Sequence, residues 1–300
     1  MISKVIARIK GGLGNQLFCY AAARRLALVN NAELVIDHVT GFMRDRQYRR
    51  QYLLDHFNIP VRKATPAERL EPFERYRRGV MKWWSRRKPF TERCYLEQEG
   101  IDFDERLLSL KVRGILYLDG LWQSEGYFKD MERTIRADLR IQSPTDPHNQ
   151  AMVERIRRTR AVAVHVRWFD APRSESPHNA TADYYHRAIA LMNEQIPEAH
   201  YFLFSDDPVA ARARIPLPDH RMTSVSHNQG DESAYADLWL MSQCQHFITA
   251  NSTFSWWGAW LAAQPDKIVI APGFELPSKG EDYITAWGFD GLLPKTWLKL

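Results

Sequence analysis

Four short stretches of this chain gather residue types that can act chemically together. Gly11-Gly12-Leu13-Gly14-Asn15-Gln16 joins glycines, which let a backbone approach a ligand, to a helical pattern whose first N–H groups can meet an anion. Leu17 stands where a dinucleotide fingerprint has its third glycine, and no Gly-Lys-Ser/Thr follows, so neither that fingerprint nor a Walker loop is present. A tight βα turn without a ligand is the plainer account. His165-Val166-Arg167-Trp168-Phe169-Asp170 leaves an apolar strand pattern; Arg167 there can hold a phosphate through paired hydrogen bonds, and Asp170 can orient it or serve as a base. A salt bridge closing a turn is the competing reading. Ser205-Asp206-Asp207-Pro208 offers two carboxylates for a divalent cation, but adjacent carboxylates before a proline fit a helix cap better. Asn251-Ser252-Thr253-Phe254-Ser255 places amide and hydroxyl groups at a strand end and a helix start, a cradle for an anion.

The elements that must position these residues alternate. Val5–Ile9 is a β-branched strand, a helix runs from Asn15 to about Val29, and Glu33–Asp37 is a second strand, which makes a βαβ unit. Residues 40–100 read as irregular. A strand is expected at Ile115–Leu118 and a helix from about Tyr127 to Leu139. The Ser143–Pro147 break divides the chain into domains 1–147 and 148–300. Beyond it strands are expected at Ala161–Arg167, Tyr201–Ser205, His246–Ala250 and Lys267–Ile270. Helices are expected around Ala182–Asn193, after Pro208, at Ser233–Ser242 and at Phe254–Ala263. Such alternation predicts parallel sheets covered on both faces, with ligands beyond the carboxyl ends of the strands. All four stretches fall at such ends. The tryptophans Trp256 and Trp257 have a bland use, packing a helix on the sheet.

A chain of 300 residues with 45% apolar and 26% charged residues excludes disorder, collagen and a disulfide scaffold. Cys19, Cys94 and Cys244 lie far apart and suit a reducing compartment. With no leader pattern after Met1 and no long apolar run, a cytoplasmic location is expected. The histidines lack zinc spacing, and no Gly-x-Ser-x-Gly elbow occurs. Net charge is +5, yet residues 44–93 hold fifteen Lys and Arg against six Asp and Glu, a local +9. Within that segment Phe73, Tyr76, Val80 and Trp83 share a helical face among arginines. That face can lie on an anionic membrane, or pack on the domain and leave the arginines in solvent.

The motifs Gly-Gly-Leu-Gly-Asn-Gln-Leu-Phe at 11–18, His-Val-Arg at 165–167, Phe-Ser-Asp-Asp-Pro at 204–208 and Asn-Ser-Thr-Phe-Ser-Trp-Trp-Gly-Ala-Trp at 251–260 resemble, in order along nearly the whole chain, the bacterial α-1,2-fucosyltransferases of glycosyltransferase family 11. The resemblance implies an α/β fold of GT-B type, two Rossmann-like domains facing a central cleft. The N-terminal domain would take the acceptor and the C-terminal one the GDP-sugar. It implies GDP-L-fucose as donor, a β-galactoside as acceptor, inversion at the anomeric carbon and no metal. It assigns His165, Arg167 and Asp170 to catalysis, and to donor binding Gly11, Gly12, Gly14, Asn15, Gln16, Ser205, Asp206, Asn251, Ser252, Thr253 and Ser255.

The family's strand-end motif is His-x-Arg-Arg-x-Asp, and Trp168 replaces the second arginine. Arg173 is close in sequence, and the change bears on the sugar pocket. The chemistry asks for cationic or dipolar groups that act more strongly as negative charge builds on GDP, plus a base on the acceptor side. Arg167 suits the first role and Asp170 the second. Three readings compete with a fucosyltransferase: a transferase of another sugar or linkage, a sugar-nucleotide binding module without turnover, and a basic nucleic-acid-binding protein.

Overall fold

The computed structural model describes residues 3–46, 48–169, 178–275 and 286–300, so Asp170 and Arg173 lie outside the described residues. The chain forms two units. Residues 1–140 with 290–292 make the first, and 141–289 with 293–300 the second. The division precedes the Ser143–Pro147 break because Asp146 caps, and Pro147 opens, a helix of the second unit.

The first unit runs β1 (Lys4–Arg8), α1 (Leu13–Val29), β2 (Glu33–Asp37), β3 (Arg62–Lys63), α2 (Glu74–Ser85), β4 (Tyr95–Glu97), α3 (Arg106–Ser109), β5 (Ile115–Asp119) and α4 (Glu132–Asp138). Its parallel sheet has the order β3-β2-β1-β5-β4. Val5, Ile6 and Ala7 are fully buried in β1, as expected of a strand covered on both faces. The stretch 40–100 is thus not irregular: it holds α2 and two edge strands too short to show a period. The helix expected from Tyr127 is reduced to two tight turns and α4. Gly41 meets the end of β1 so closely that a Cβ would sit 1.8 Å from the Ile9 carbonyl oxygen. The returning segment 290–292 joins this unit through Phe103 N donating to Asp290 O (3.2 Å) and Asp290 N to Asp102 Oδ1 (3.1 Å). A Cβ on Gly291 would come within 2.6 Å of Phe103 Cβ.

The second unit runs α5 (Pro147–Arg157), β6 (Ala161–Val166), α6 (Ala182–Gln195), β7 (His200–Ser205), α7 (Pro208–Arg214), β8 (Met222–Val225), α8 (Ala234–Ser242), β9 (His246–Ile248), α9 (Thr253–Leu261), β10 (Val269–Ala271) and β11 (Leu298–Lys299). Its parallel sheet has the order β11-β10-β9-β6-β7-β8. Val162, Val164 and Val166 turn one face of β6 into a core with Tyr184, Tyr185 and Ala188 of α6. Alternation leaves His165 on the other face. In α9 the tryptophans do pack: Trp256 stacks parallel to Trp260 at 6.2 Å and meets Trp297 at 5.5 Å. Gly258 lets α9 approach Met241 of α8, where a Cβ would already be at 3.0 Å. No helix among the described residues is long and apolar enough to cross a membrane.

Candidate active site

The sheet order explains why the second-unit residues assemble. β6 lies between β7 and β9; Val166 pairs with Ser205, and Val164 with Ile248. One residue beyond the first pair stand Arg167 and Asp206, and three beyond the second stand Arg167 and Asn251. Arg167 Nη1 donates to Asp206 Oδ2 at 2.7 Å, and the Trp168 backbone N–H donates to Asp206 Oδ1 at 3.3 Å. No other guanidinium hydrogen bond of Arg167 falls among the described residues. Asp206 holds one edge of the guanidinium. Burial raises the Asp206 pKa above its ordinary value, and the Arg167 charge opposes that rise.

The two aspartates therefore divide the work. Asp207 caps α7, accepting from Ala210 N at 2.9 Å, and Asp206 positions Arg167. Ser205 Oγ accepts from Asp207 N at 3.2 Å and braces the same turn. Among the described residues no group of three or more His, Cys, Asp or Glu is placed to hold a metal ion.

His165 is buried behind Arg167, its ring 5.5 Å from that of Phe254 and its carbonyl accepting from Tyr185 OH. Burial, with the Arg167 charge adding, pushes its pKa down to about 3. It is a neutral imidazole at any working pH. Among the described residues, its Nδ1 and the Oδ1 of Asn251 are buried without a hydrogen-bond partner. Asn251 is fixed by its other end, Nδ2 donating to the His178 carbonyl at 2.9 Å. Ser252 is the N-cap of α9, its Oγ accepting from Phe254 N at 3.3 Å. Ser255 is wholly buried and donates to the Ser252 carbonyl at 3.2 Å. In this arrangement its hydroxyl donates to its own helix. Thr253 opens the helix, half-buried.

In the first unit, Gly11 has φ +78°, a left-handed conformation that favours glycine, and a Cβ there would press 2.8 Å from Asn15 Nδ2. Gly12 is the N-cap of α1 and, as a glycine, brings no capping side chain. Arg50 lies over this turn, 3.7 Å from where a Gly12 Cβ would be. Gly14 is buried within the first turn of α1. Asn15 Oδ1 accepts from Gln123 Nε2 at 2.8 Å. Gln16 braces the turn: Nε2 donates to the carbonyls of Gly11 and Gln51, Oε1 accepts from Leu53 N, and the residue is fully buried.

Sequence reading missed a charged cluster at the ends of β1, β2 and β5. Asp119, fully buried, accepts from Arg8 (3.1 Å), Lys10 (2.9 Å) and Tyr95 OH (2.6 Å), with Lys82 at 3.4 Å. Burial pushes its pKa up, but Lys10, Arg8 and Lys82 outweigh that and hold it well below the usual carboxylate range. Arg8, Asp37 and Asp119 each end a strand, and that was the available signal. The Asp206 partnership left no comparable signal, because it depends on β6 and β7 being neighbours.

Residues 4–283 match the model of the family described as "Glycosyl transferase family 11". The chain belongs to glycosyl transferase family 11. It is similar to an alpha-1,2-colitosyltransferase of Escherichia coli, 29% identical over 278 residues, covering 90% of this chain and 92% of that protein. A second relative, the O-antigen biosynthesis glycosyltransferase WbnK of Escherichia coli, is 28% identical over 284 residues, with 88% and 92% covered. Among solved structures it resembles the fucosyltransferase NodZ from Bradyrhizobium, with TM-score 0.55, 18% identity and 90% and 95% of the two chains covered. It also resembles Arabidopsis thaliana FUT1, with TM-score 0.54, 14% identity and 90% and 70% covered. These likenesses establish a family 11 glycosyltransferase of GT-B type, with a parallel sheet in each of two α/β units.

Proposed function

We propose that this family 11 enzyme transfers L-fucose from GDP-L-fucose to the 2-hydroxyl of a terminal β-galactoside, with inversion and without a metal, in the synthesis of a surface glycan. The observation that carries the reading is Arg167 at the end of β6, steadied on one edge by Asp206 and otherwise unbonded among the described residues. As the sugar–phosphate bond breaks, negative charge grows on the GDP oxygens. A guanidinium already oriented there favours that state over the ground state without reorganising. The start of α9 beyond Asn251 adds oriented N–H groups of the same sign. His165, neutral, acts as a hydrogen-bonding group, and Asp170 is assigned as the base that takes the acceptor proton. Similarity to NodZ structures soaked with GDP-fucose or co-crystallized with GDP supports the donor class.

A second reading is favoured by one finding: the colitosyl relative. Colitose is a 3-deoxy analogue of fucose, and Trp168, buried in place of the family's second arginine with Arg214 over its ring at 4.4 Å, marks a departure close to the site. The test is incubation with GDP-L-fucose or GDP-colitose and a panel of β-galactosides, reading product mass and linkage. An α-1,2-fucosylated product is expected. Product from GDP-colitose alone changes the sugar, a different linkage changes the acceptor site, and tight binding of GDP-sugars with no product refutes transfer.

A further inference from the structure

Helix α2 is inside out. Its polar side faces the first unit: Arg78 Nη2 donates to Thr40 Oγ1 at 2.7 Å, Lys82 reaches Glu97 and the buried Asp119, and Ser85 Oγ accepts from Tyr95 N at 3.1 Å. The charged cluster at the strand ends needs these cations, so the aromatic side is turned to solvent. Phe73 is 74% exposed, Tyr76 75%, Trp83 51% and Trp84 56%, with Val80 between them. An ordinary surface helix buries such a stripe. Here the stripe lines an open groove whose floor is Gly79, where a Cβ would meet nothing within 4 Å.

The rim is cationic. Arg75, Arg77, Arg87 and Lys88 are exposed and make no ion pair among the described residues. Arg87 lies 3.3 Å over the Trp83 ring, so its charge sits at the level of the aromatic face.

We propose that this face docks the enzyme on an anionic phospholipid surface, with the aromatic rings at the headgroup level and the exposed guanidinium groups, Arg77 and Arg87 each tied by one hydrogen bond to a backbone carbonyl, on lipid phosphates. Aromatic side chains favour that boundary, and basic residues beside it are drawn to anionic lipid. The charge pattern separates this occupant from a second copy of the chain. A two-fold pairing through the stripe would bring together two sets of Arg75, Arg77 and Arg87 with only Glu74 of each helix to meet them. The inference rests on α2 alone and stands whichever sugar is transferred.

Co-sedimentation of the full chain with vesicles of phosphatidylcholine, with and without phosphatidylglycerol, tests it. Binding is expected only with phosphatidylglycerol, and it should fade as salt is raised. Arg75→Gln with Arg77→Gln should lower the partition coefficient by roughly thirtyfold, and Trp83→Ser with Trp84→Ser by at least as much. Tyr76→Ser is the second apolar variant, and all three should keep the wild-type Tm because these side chains project into solvent. Four results overturn the proposal: protein left in the supernatant with anionic vesicles at low salt, equal binding to phosphatidylcholine alone, a dimer that Trp83→Ser with Trp84→Ser dissociates, or unfolding of these variants.

Discussion

Replacing Asp206 by Asn tests whether the carboxylate works through Arg167 or independently. The pair is short, 2.7 Å, but the two side chains are 30% and 35% exposed. A charged hydrogen bond shielded from water contributes about 1.5–3 kcal/mol, and an exposed ion pair about 1 kcal/mol or less. A pair one-third open to solvent falls at the low end of the first range, about 1.5–2 kcal/mol. If all of that serves to orient Arg167 in the transition state, Asp206→Asn lowers kcat/KM roughly 10- to 30-fold. If Arg167 holds the diphosphate through two hydrogen bonds, as proposed above, Arg167→Lys lowers it roughly a hundredfold or more. The informative experiment is the cycle of both single variants and the double variant, assayed with GDP-L-fucose and the preferred acceptor. On the Arg167→Lys background, Asp206→Asn should cost almost nothing, because there is no guanidinium left to hold. The pH profile is a second readout. Since burial raises the Asp206 pKa, protonation releases Arg167 as pH falls, and Asp206→Asn should flatten the acidic limb of kcat/KM. Additive losses in the cycle, or an acidic limb unchanged in the variant, would refute the positioning role.

Three other outcomes follow from separate parts of the molecule. Gly41→Ala drives a methyl into the Ile9 carbonyl and should cost about 4 kcal/mol or more, read as a large fall in Tm, whereas Gly79→Ala, in open space on α2, should gain about 0.5–1 kcal/mol. Asp237, buried beside Asn228, has its pKa raised to about 7, so the stability it contributes is present when it is protonated and is lost as pH rises through 7. Asp237→Asn should therefore leave stability nearly unchanged in acid and raise it in alkaline buffer, by roughly 2–4 kcal/mol at most, read as a rise in Tm. Transfer should survive exhaustive dialysis against EDTA; activity lost there and restored by Mg²⁺ or Mn²⁺ would return Asp206 to the metal role.

How far the sequence could be read depended on whether a feature was local. β2, α6, β7, α7 and α8 stand close to where composition and periodicity place them, because strand, cap and helix signals act over a few residues. Asp207 as a cap, Trp256 as packing and the glycine turn before α1 were local too. Asp206 holding Arg167, Gln16 bracing two carbonyls and Ser255 turned back on its own helix were not. Each has a partner that only its neighbours in space reveal. α2 shows the same limit in another form: its period was visible, but the side that faces inward is fixed by Asp119, which lies 34 residues beyond the helix.

The segment at 290–292 also bears on the order of synthesis. Some 150 residues separate Arg140 from Asp290. At about 5–20 residues per second, a ribosome takes roughly 8–30 s to cross them. Through that interval the first unit exists without the strip that covers Phe103 and satisfies its N–H. The nascent chain thus carries an unfinished N-terminal half while the second is being made. A fragment ending at the seam would be held permanently in that state, whereas a chain joined at both crossings is not.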